Sequence, residues 1–328
     1  MTIWKRILAL GLTLCLALSM TNVLSCAASG TGTRLPAWVT IFRAYQMQIN
    51  RDAEEKRTPT YGSTEIDDID YWGDGSEFHR LDVYNPGTAC ACEKLPVIVE
   101  VHGGGYASCN KEINREHGLW FASQGYRVVN INYTLVPEGT IAQEEQEIRR
   151  VFNWIRSHAN AYGFDANHIF LTGDSSGGHL VLLFTAAQTD PDLQRVLGIT
   201  PAPGYRATAA TCPVGSFTSK ELVSMGLSAL LGSDFKSRND SKALGYENFL
   251  KPGIPPLLIV TTPTDKTAYS VTSSIHKTMV ERGIEHQYKE YTKVENSLDH
   301  VFNVLNVGWV ESLQCNRDIV GFFQSQIQ

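Results

Sequence analysis

Short, nearly continuous apolar runs alternate along this chain with longer segments whose apolar positions recur every three or four residues. The runs at 96–101, 127–133, 169–172, 196–200, 257–262 and 287–291 predict strands. The segments at 113–124, 140–161, 269–282 and 301–323 predict helices, and Gly125, Gly163 and Gly283 lie where three of them should end. In segment 140–161, Ile141, Ile148, Phe152 and Ile155 share one face, and Glu145 stands one turn before Arg149, the spacing of an ion pair. Repeated units of this kind build a mostly parallel sheet covered by helices on both faces. The expected class is therefore α/β, and a chain of 328 residues with 43% apolar content can bury one large core.

Three stretches stand outside the alternation. Segment 33–56 carries Trp38, Ile41, Phe42, Tyr45 and Ile49 at helical spacing, followed by a charged run at 51–57, and reads as a helix packed over the main domain. Segment 59–75 is acidic and turn-rich; Leu81, Val83 and Tyr84 after it suggest an early strand ending at Asn85-Pro86-Gly87. Segment 201–256, rich in Pro, Gly, Ser and Thr with one helix expected near 220–231, is too long for an ordinary connection and reads as an insertion shaping a pocket above the sheet.

The N-terminus has the pattern of a targeting signal. Lys5-Arg6 precedes an apolar run at 7–18, then polar residues and the small-residue stretch Ser25-Cys26-Ala27-Ala28. Cleavage after Ala27 fits one reading; Val23-Leu24-Ser25-Cys26 as a lipoprotein box, with Cys26 lipidated and membrane-attached, fits another. Both export the protein. The chain then divides into a leader at 1–27, a cap segment at 28–64 and a main domain at 65–328. The formal charge is −6, and removal of a leader with two cations and no acid makes it more negative. There is no stripe of Lys and Arg for nucleic acid. Outside the leader stand five cysteines, Cys90, Cys92, Cys109, Cys212 and Cys315, an odd number that the sequence cannot pair; Cys90-Ala91-Cys92 has no second ligand pair to complete a metal site.

The chemistry concentrates at 169–183, IFLTGDSSGGHLVLL, which reads as strand, tight turn, helix. Such a turn forces Ser175 to its tip, and its flanking glycines avoid a collision where strand and helix cross. The helix N-terminus beside it favours negative charge. A plain Gly/Ser-rich loop has the same composition, so partners elsewhere must decide. A serine hydroxyl needs a base, and with a nucleophile on such an elbow the partners follow in the order serine, acid, histidine. Of the histidines, His300 lies beyond the last predicted strand; His276 falls in a predicted helix, His286 precedes the last strand, and His179 leaves the elbow. Asp265 directly follows the 257–262 run and is the candidate acid. Asp299, the rival, is badly placed to reach the ring nitrogen facing away from the serine. After the 96–101 run, His102-Gly103-Gly104-Gly105-Tyr106 lets main-chain amides approach a substrate oxygen. Gly104, Gly105 and Ser176 are the candidate oxyanion donors, with His102 bracing the loop and Tyr106 at the substrate.

Taken together, HGGG at 102–105, the run from Asn132 to Glu138, GDSSGG at 173–178 and Asp-His-Val-Phe at 299–302 resemble the α/β hydrolases of the hormone-sensitive-lipase-like esterase group. Gly-Gly-His-Leu at 177–180 and Leu81-Asp82-Val83-Tyr84 are similar also to bacterial feruloyl and acetyl-xylan esterases. The resemblance covers roughly residues 65–325. It departs at Thr134, where the family usually carries arginine, and at Ser176, where alanine is common. It implies an ester hydrolase without metal or organic cofactor, acting on a small-molecule or carbohydrate ester. A non-catalytic binding protein on the same fold is the competing class; a peptidase would need a large accessory domain, and a long-chain lipase a larger apolar lid. Trp38, Trp72 and Tyr106 suit a carbohydrate-linked substrate and suit packing equally.

Overall fold

The computed structural model describes residues 60–90, 92–215 and 245–327, together with Arg43, Ala44, Gln48 and Arg51. The leader, the cap aromatics Trp38, Ile41, Phe42, Tyr45 and Ile49, and the helix expected near 220–231 lie outside them. Among the described residues eight strands form one sheet in the order β1-β2-β4-β3-β5-β6-β7-β8. These are β1 Ser63–Asp70, β2 Arg80–Pro86, β3 Leu95–Val101, β4 Arg127–Ile131, β5 Phe164–Asp174, β6 Tyr205–Thr211, β7 Leu257–Thr261 and β8 Gln287–Glu290. β1 and β2 are antiparallel to their neighbours, and every pairing from β4 to β8 is parallel.

Strand alternation sorts the core into two halves. Val97, Val99 and Val101 of β3 and Ile169 and Leu171 of β5 face helices α2 (Ile141–Ser157) and α4 (Ser175–Ala187). Ile98 and Phe170 face α1 (Arg115–Ser123) and α8 (Val310–Gln324). Between these lie α3 Ala159–Tyr162, α5 Pro191–Leu197, α6 Tyr269–Glu281 and α7 Phe302–Leu305. The predicted face of α2 is buried as expected.

Several expectations need correction. The 196–200 run is not a strand. Asp190 accepts from the N–H groups of Asp192 and Leu193, Pro191 opens the helix, and Gly198 closes α5 at φ 70°, so local capping overrides the short apolar run. The strand beside β5 is β6, drawn from what reads as the start of the insertion; its small Ala and Thr side chains are buried where α4 packs closely. The acidic stretch at 59–75 hides the edge strand β1, whose charged residues suit an unpaired margin. The last helix breaks at Asn306 into α7 and α8. Glu145 does not pair with Arg149: the guanidinium donates to Thr200 O at 2.8 Å and Asn153 Oδ1 at 2.7 Å, while Glu145 is buried.

Candidate active site

The turn between β5 and α4 is as tight as its glycines suggest. A Cβ on Gly177 would stand 2.2 Å from Val101 O and 2.5 Å from His102 O, so any larger residue would drive helix and strand apart. Ser175 itself is held at φ 52°, a left-handed conformation uncommon outside glycine, which lifts its side chain from the chain path.

Three residues from three loops meet at this tip. His300 Nε2 lies 2.8 Å from Ser175 Oγ, and its Nδ1 lies 2.8 Å from Asp265 Oδ2. The tautomer that satisfies both contacts donates from Nδ1 to the carboxylate and accepts at Nε2 from the hydroxyl. Asp265, at the carboxyl end of β7, is buried, and its Oδ1 accepts from the N–H groups of Thr267 at 2.8 Å and Ala268 at 3.0 Å. Burial alone would raise its pKa. The hydrogen bond and charge of His300, with the two amides, outweigh burial and hold it below the usual carboxylate value. The rival Asp299 accepts from the His300 main-chain N–H at 2.8 Å and so contacts the backbone rather than the ring.

The glycine loop after β3 lies against the elbow. Gly103 N donates to Asp174 Oδ1 at 3.1 Å, and a Cβ on Gly103 would come within 3.0 Å of Ser175 Cβ. Gly104 and Gly105 take φ values of 120° and 63°, and Ser108 Oγ fastens the loop by donating to Gly104 O at 2.5 Å. Ser176 sits in the first turn of α4, where a main-chain N–H has no intrahelical acceptor. Its side chain is also engaged, accepting from Tyr106 N at 3.2 Å. His102 braces the loop: its ring stacks on Tyr133, and Nδ1 contacts Gly103 O at 2.6 Å.

Tyr106 needs correction. Its ring is buried edge-on to His179, so it supports the loop from beneath rather than facing a substrate. Trp72 is likewise occupied, stacked on His79 with the Arg150 guanidinium 3.9 Å above its ring. Arg43 pairs with Glu138 and donates to the carbonyls of Ala107 and Val136, beside the glycine loop.

For a metal, the donors that converge among the described residues are Cys212, Asp265 and His300, whose ligating atoms lie within 4.8 Å of one another. They do not fit one. Burial, then the charge of Asp265, pushes the Cys212 thiol well above its ordinary pKa, so it stays protonated, and the imidazole already spans two partners. Cys90 and Cys92 are joined in a disulfide, so neither thiol is a ligand.

Sequence reasoning passes over the groups that hold this site. Glu100, Asn114 and His117 lie buried behind the elbow, and Glu147 lies buried under Thr134. A glutamate inside an apolar strand was the available signal for Glu100.

Fold and site together define an α/β hydrolase. The chain belongs to the BD-FAE family, which it matches over residues 81–279. It is similar to a probable carboxylic ester hydrolase, LipM, of Mycobacterium tuberculosis, at 31% identity over 129 residues, covering 39% of this chain and 30% of that protein. Esterase LipQ of the same organism is 29% identical over 134 residues, covering 40% and 31%. The chain thus spans less than a third of these relatives' lengths. Esterase B of Lactobacillus rhamnosis, solved with a tributyrin phosphonate inhibitor, superposes with a TM-score of 0.80 at 24% identity over 88% of this chain and 94% of that one. A hyperthermophilic esterase from Pyrobaculum calidifontis gives 0.64 at 19% identity over 88% and 93%. At such identities the likeness is one of fold.

Proposed function

We propose that this chain is an exported serine carboxylic-ester hydrolase working through an acyl-enzyme on short-chain or carbohydrate-linked esters such as acetyl or feruloyl esters. The observation that carries the reading is the line from Ser175 Oγ through His300 to Asp265, two contacts of 2.8 Å each. His300 Nε2 takes the hydroxyl proton as Ser175 Oγ attacks the acyl carbon, and the charge on the carbonyl oxygen falls to the N–H groups of Gly104, Gly105 and Ser176. His300 returns the proton to the leaving alcohol as the ester C–O bond breaks. Water, deprotonated by the same nitrogen, then attacks the acyl-enzyme, and the proton passes back to Ser175 Oγ as the acid leaves. Asp265 keeps the ring in the required tautomer and balances the imidazolium. The printed names of the relatives support the ester chemistry, and residues 1–27 support export, with attachment through a lipidated Cys26 as one form of it.

The test is hydrolysis of p-nitrophenyl acetate by the wild type and by Ser175→Ala. The variant should keep the circular dichroism of the wild type and lose turnover by at least about 10⁴-fold; comparable turnover would overturn the assignment, and an inactive wild type would favour a binding protein. A panel of acyl lengths beside acetylated xylan and methyl ferulate then reads the substrate, and a preference for long chains would count against carbohydrate esters. Mass spectrometry of the mature N-terminus reads export, which an unprocessed Met1 from the native host would exclude.

A further inference from the structure

Behind the elbow, on the α1/α8 face of the sheet, buried polar side chains form one chain of contacts. Gly103 N and Asn114 Nδ2 both donate to Asp174 Oδ1, at 3.1 and 2.9 Å. Asn114 Nδ2 also reaches Glu100 Oε1 at 3.3 Å, and the same oxygen meets His117 Nδ1 at 2.5 Å. His117 Nε2 lies 3.1 Å from Asn316 Oδ1, which accepts in turn from Asn303 Nδ2 at 2.9 Å, and Asn303 Nδ2 reaches Thr211 Oγ1 at 3.4 Å. Asn303 stands three residues after His300, and Asp174 immediately precedes Ser175. The relay therefore joins the loop carrying the base to the residue before the nucleophile and to the first amide of the glycine loop.

Every side chain of the relay is buried. Among the described residues Glu100 Oε2 has no hydrogen-bond partner, and Glu100 and Asp174 bring two carboxyl groups to one buried region. Both ring nitrogens of His117 face oxygens, an arrangement that a doubly protonated ring satisfies by donating from both. We propose that His117, as an imidazolium locked between Glu100 and Asn316, is a positioning residue for the reaction, holding the His300 loop and the glycine loop in register through one buried chain. This rests on the ester-hydrolase reading above. Burial would lower the His117 pKa, but the charge of Glu100 and the hydrogen bonds from both partners outweigh it and raise it. The groups facing the ring are Glu100 from β3, Asp174 from β5 through Asn114, Asn303 and Asn316 from α7 and α8, and the Phe121 ring of α1. Tyr84 of β2 packs beside Glu100 across Gly118, and burial keeps its phenol protonated.

A raised pKa means the doubly protonated ring is favoured below its folded value and is lost as pH rises through it. Wild-type kcat on p-nitrophenyl acetate should therefore fall on the alkaline side. Glu100→Gln/His117→Gln, a neutral amide pair, should show kcat roughly ten- to a hundredfold lower at neutral pH with KM nearly unchanged, and no alkaline fall. An alkaline limb unchanged in the double variant, or full kcat at neutral pH, would overturn the proposal. Should the variant not fold, ¹⁵N-histidine NMR of the wild type with the His117 resonances assigned decides: a His117 ring protonated at both nitrogens at neutral pH supports it, and a neutral His117 ring sinks it. A wild type without esterase activity would instead fail the reading beneath it, and the NMR would still report the ion pair.

Discussion

Thr134 gives both its main-chain N–H and its hydroxyl to the buried carboxylate of Glu147, at 2.6 and 2.7 Å. His79 completes this pairing: Nε2 lies 3.3 Å from Glu147 Oε1 and Nδ1 2.8 Å from Asp74 Oδ2. A carboxylate on α2 thus anchors the chain after β4 and meets an imidazole from just before β2.

The two partners should differ in what their loss costs. Glu147→Ala leaves a buried N–H, a hydroxyl and an imidazole without their acceptor, and should destabilise the fold by about 2–4 kcal/mol. Thr134→Val removes the hydroxyl alone and keeps the N–H bond, so the expected loss is about 1 kcal/mol. Urea denaturation of both variants measures the ordering; equal losses would mean that the carboxylate has no special share in holding this loop.

How much of this was open to reading from the sequence depends on whether a feature is local. Ser175, Asp265 and His300 stand at the ends of apolar runs in a fixed order, and the structure brings those three side chains together. The elbow is partly local, since a Cβ on Gly173 would stand 2.7 Å from Gly177 O, four residues on. Where a tertiary neighbour decides, sequence reading fails. β6 looks like a loop because its Ala and Thr side chains are chosen by the closeness of α4, and β1 looks like a loop because it lies at a margin. The ring of Tyr106 is hidden by His179, a residue 73 positions away. Glu100, Asn114 and His117 carry no motif, since what joins them is the packing of β3 against α1.

Glu145 shows the same limit and yields a prediction. At helical spacing from Arg149 it reads as a surface ion pair, yet it is fully buried, and among the described residues neither of its carboxyl oxygens has a hydrogen-bond partner. Burial raises its pKa well above the ordinary value. A folded pKa above the unfolded one favours the fold below the unfolded value, and that contribution is lost as pH rises toward the folded value. Glu145→Leu removes the liability, so the variant should be more stable than wild type by about 1–3 kcal/mol at neutral pH. The gain should shrink toward about pH 4, where the unfolded carboxyl also takes up its proton. Thermal unfolding across that range checks it; a gain that does not change with pH would show that the carboxyl is not neutral in the fold.

Glu311 makes the opposite case at the other end of the site. Its Oε1 accepts the N–H groups of Val294, Glu295 and Asn296 at 2.8, 2.6 and 2.8 Å, and its Oε2 accepts Asn296 Nδ2 at 3.0 Å. The carboxylate thereby fixes the start of the loop that ends at His300. Burial opposes its charge, but the side-chain and main-chain donors of Asn296, with that of Val294, lower its pKa to about 2. With the folded value depressed, the stabilisation is complete above the unfolded value of 4.5 and is lost as pH falls through the folded one. Glu311→Ala leaves these amides without an acceptor and should cost about 1–3 kcal/mol at neutral pH. It should also lower kcat more than it raises KM, because the loop that positions His300 loosens while the rest of the site stays in place. Denaturation of wild type and variant from about pH 7 down to about pH 3 should show the difference narrowing as the wild-type carboxylate begins to take up its proton. A difference that stays constant over that range would assign the loss to packing of the side chain rather than to its charge.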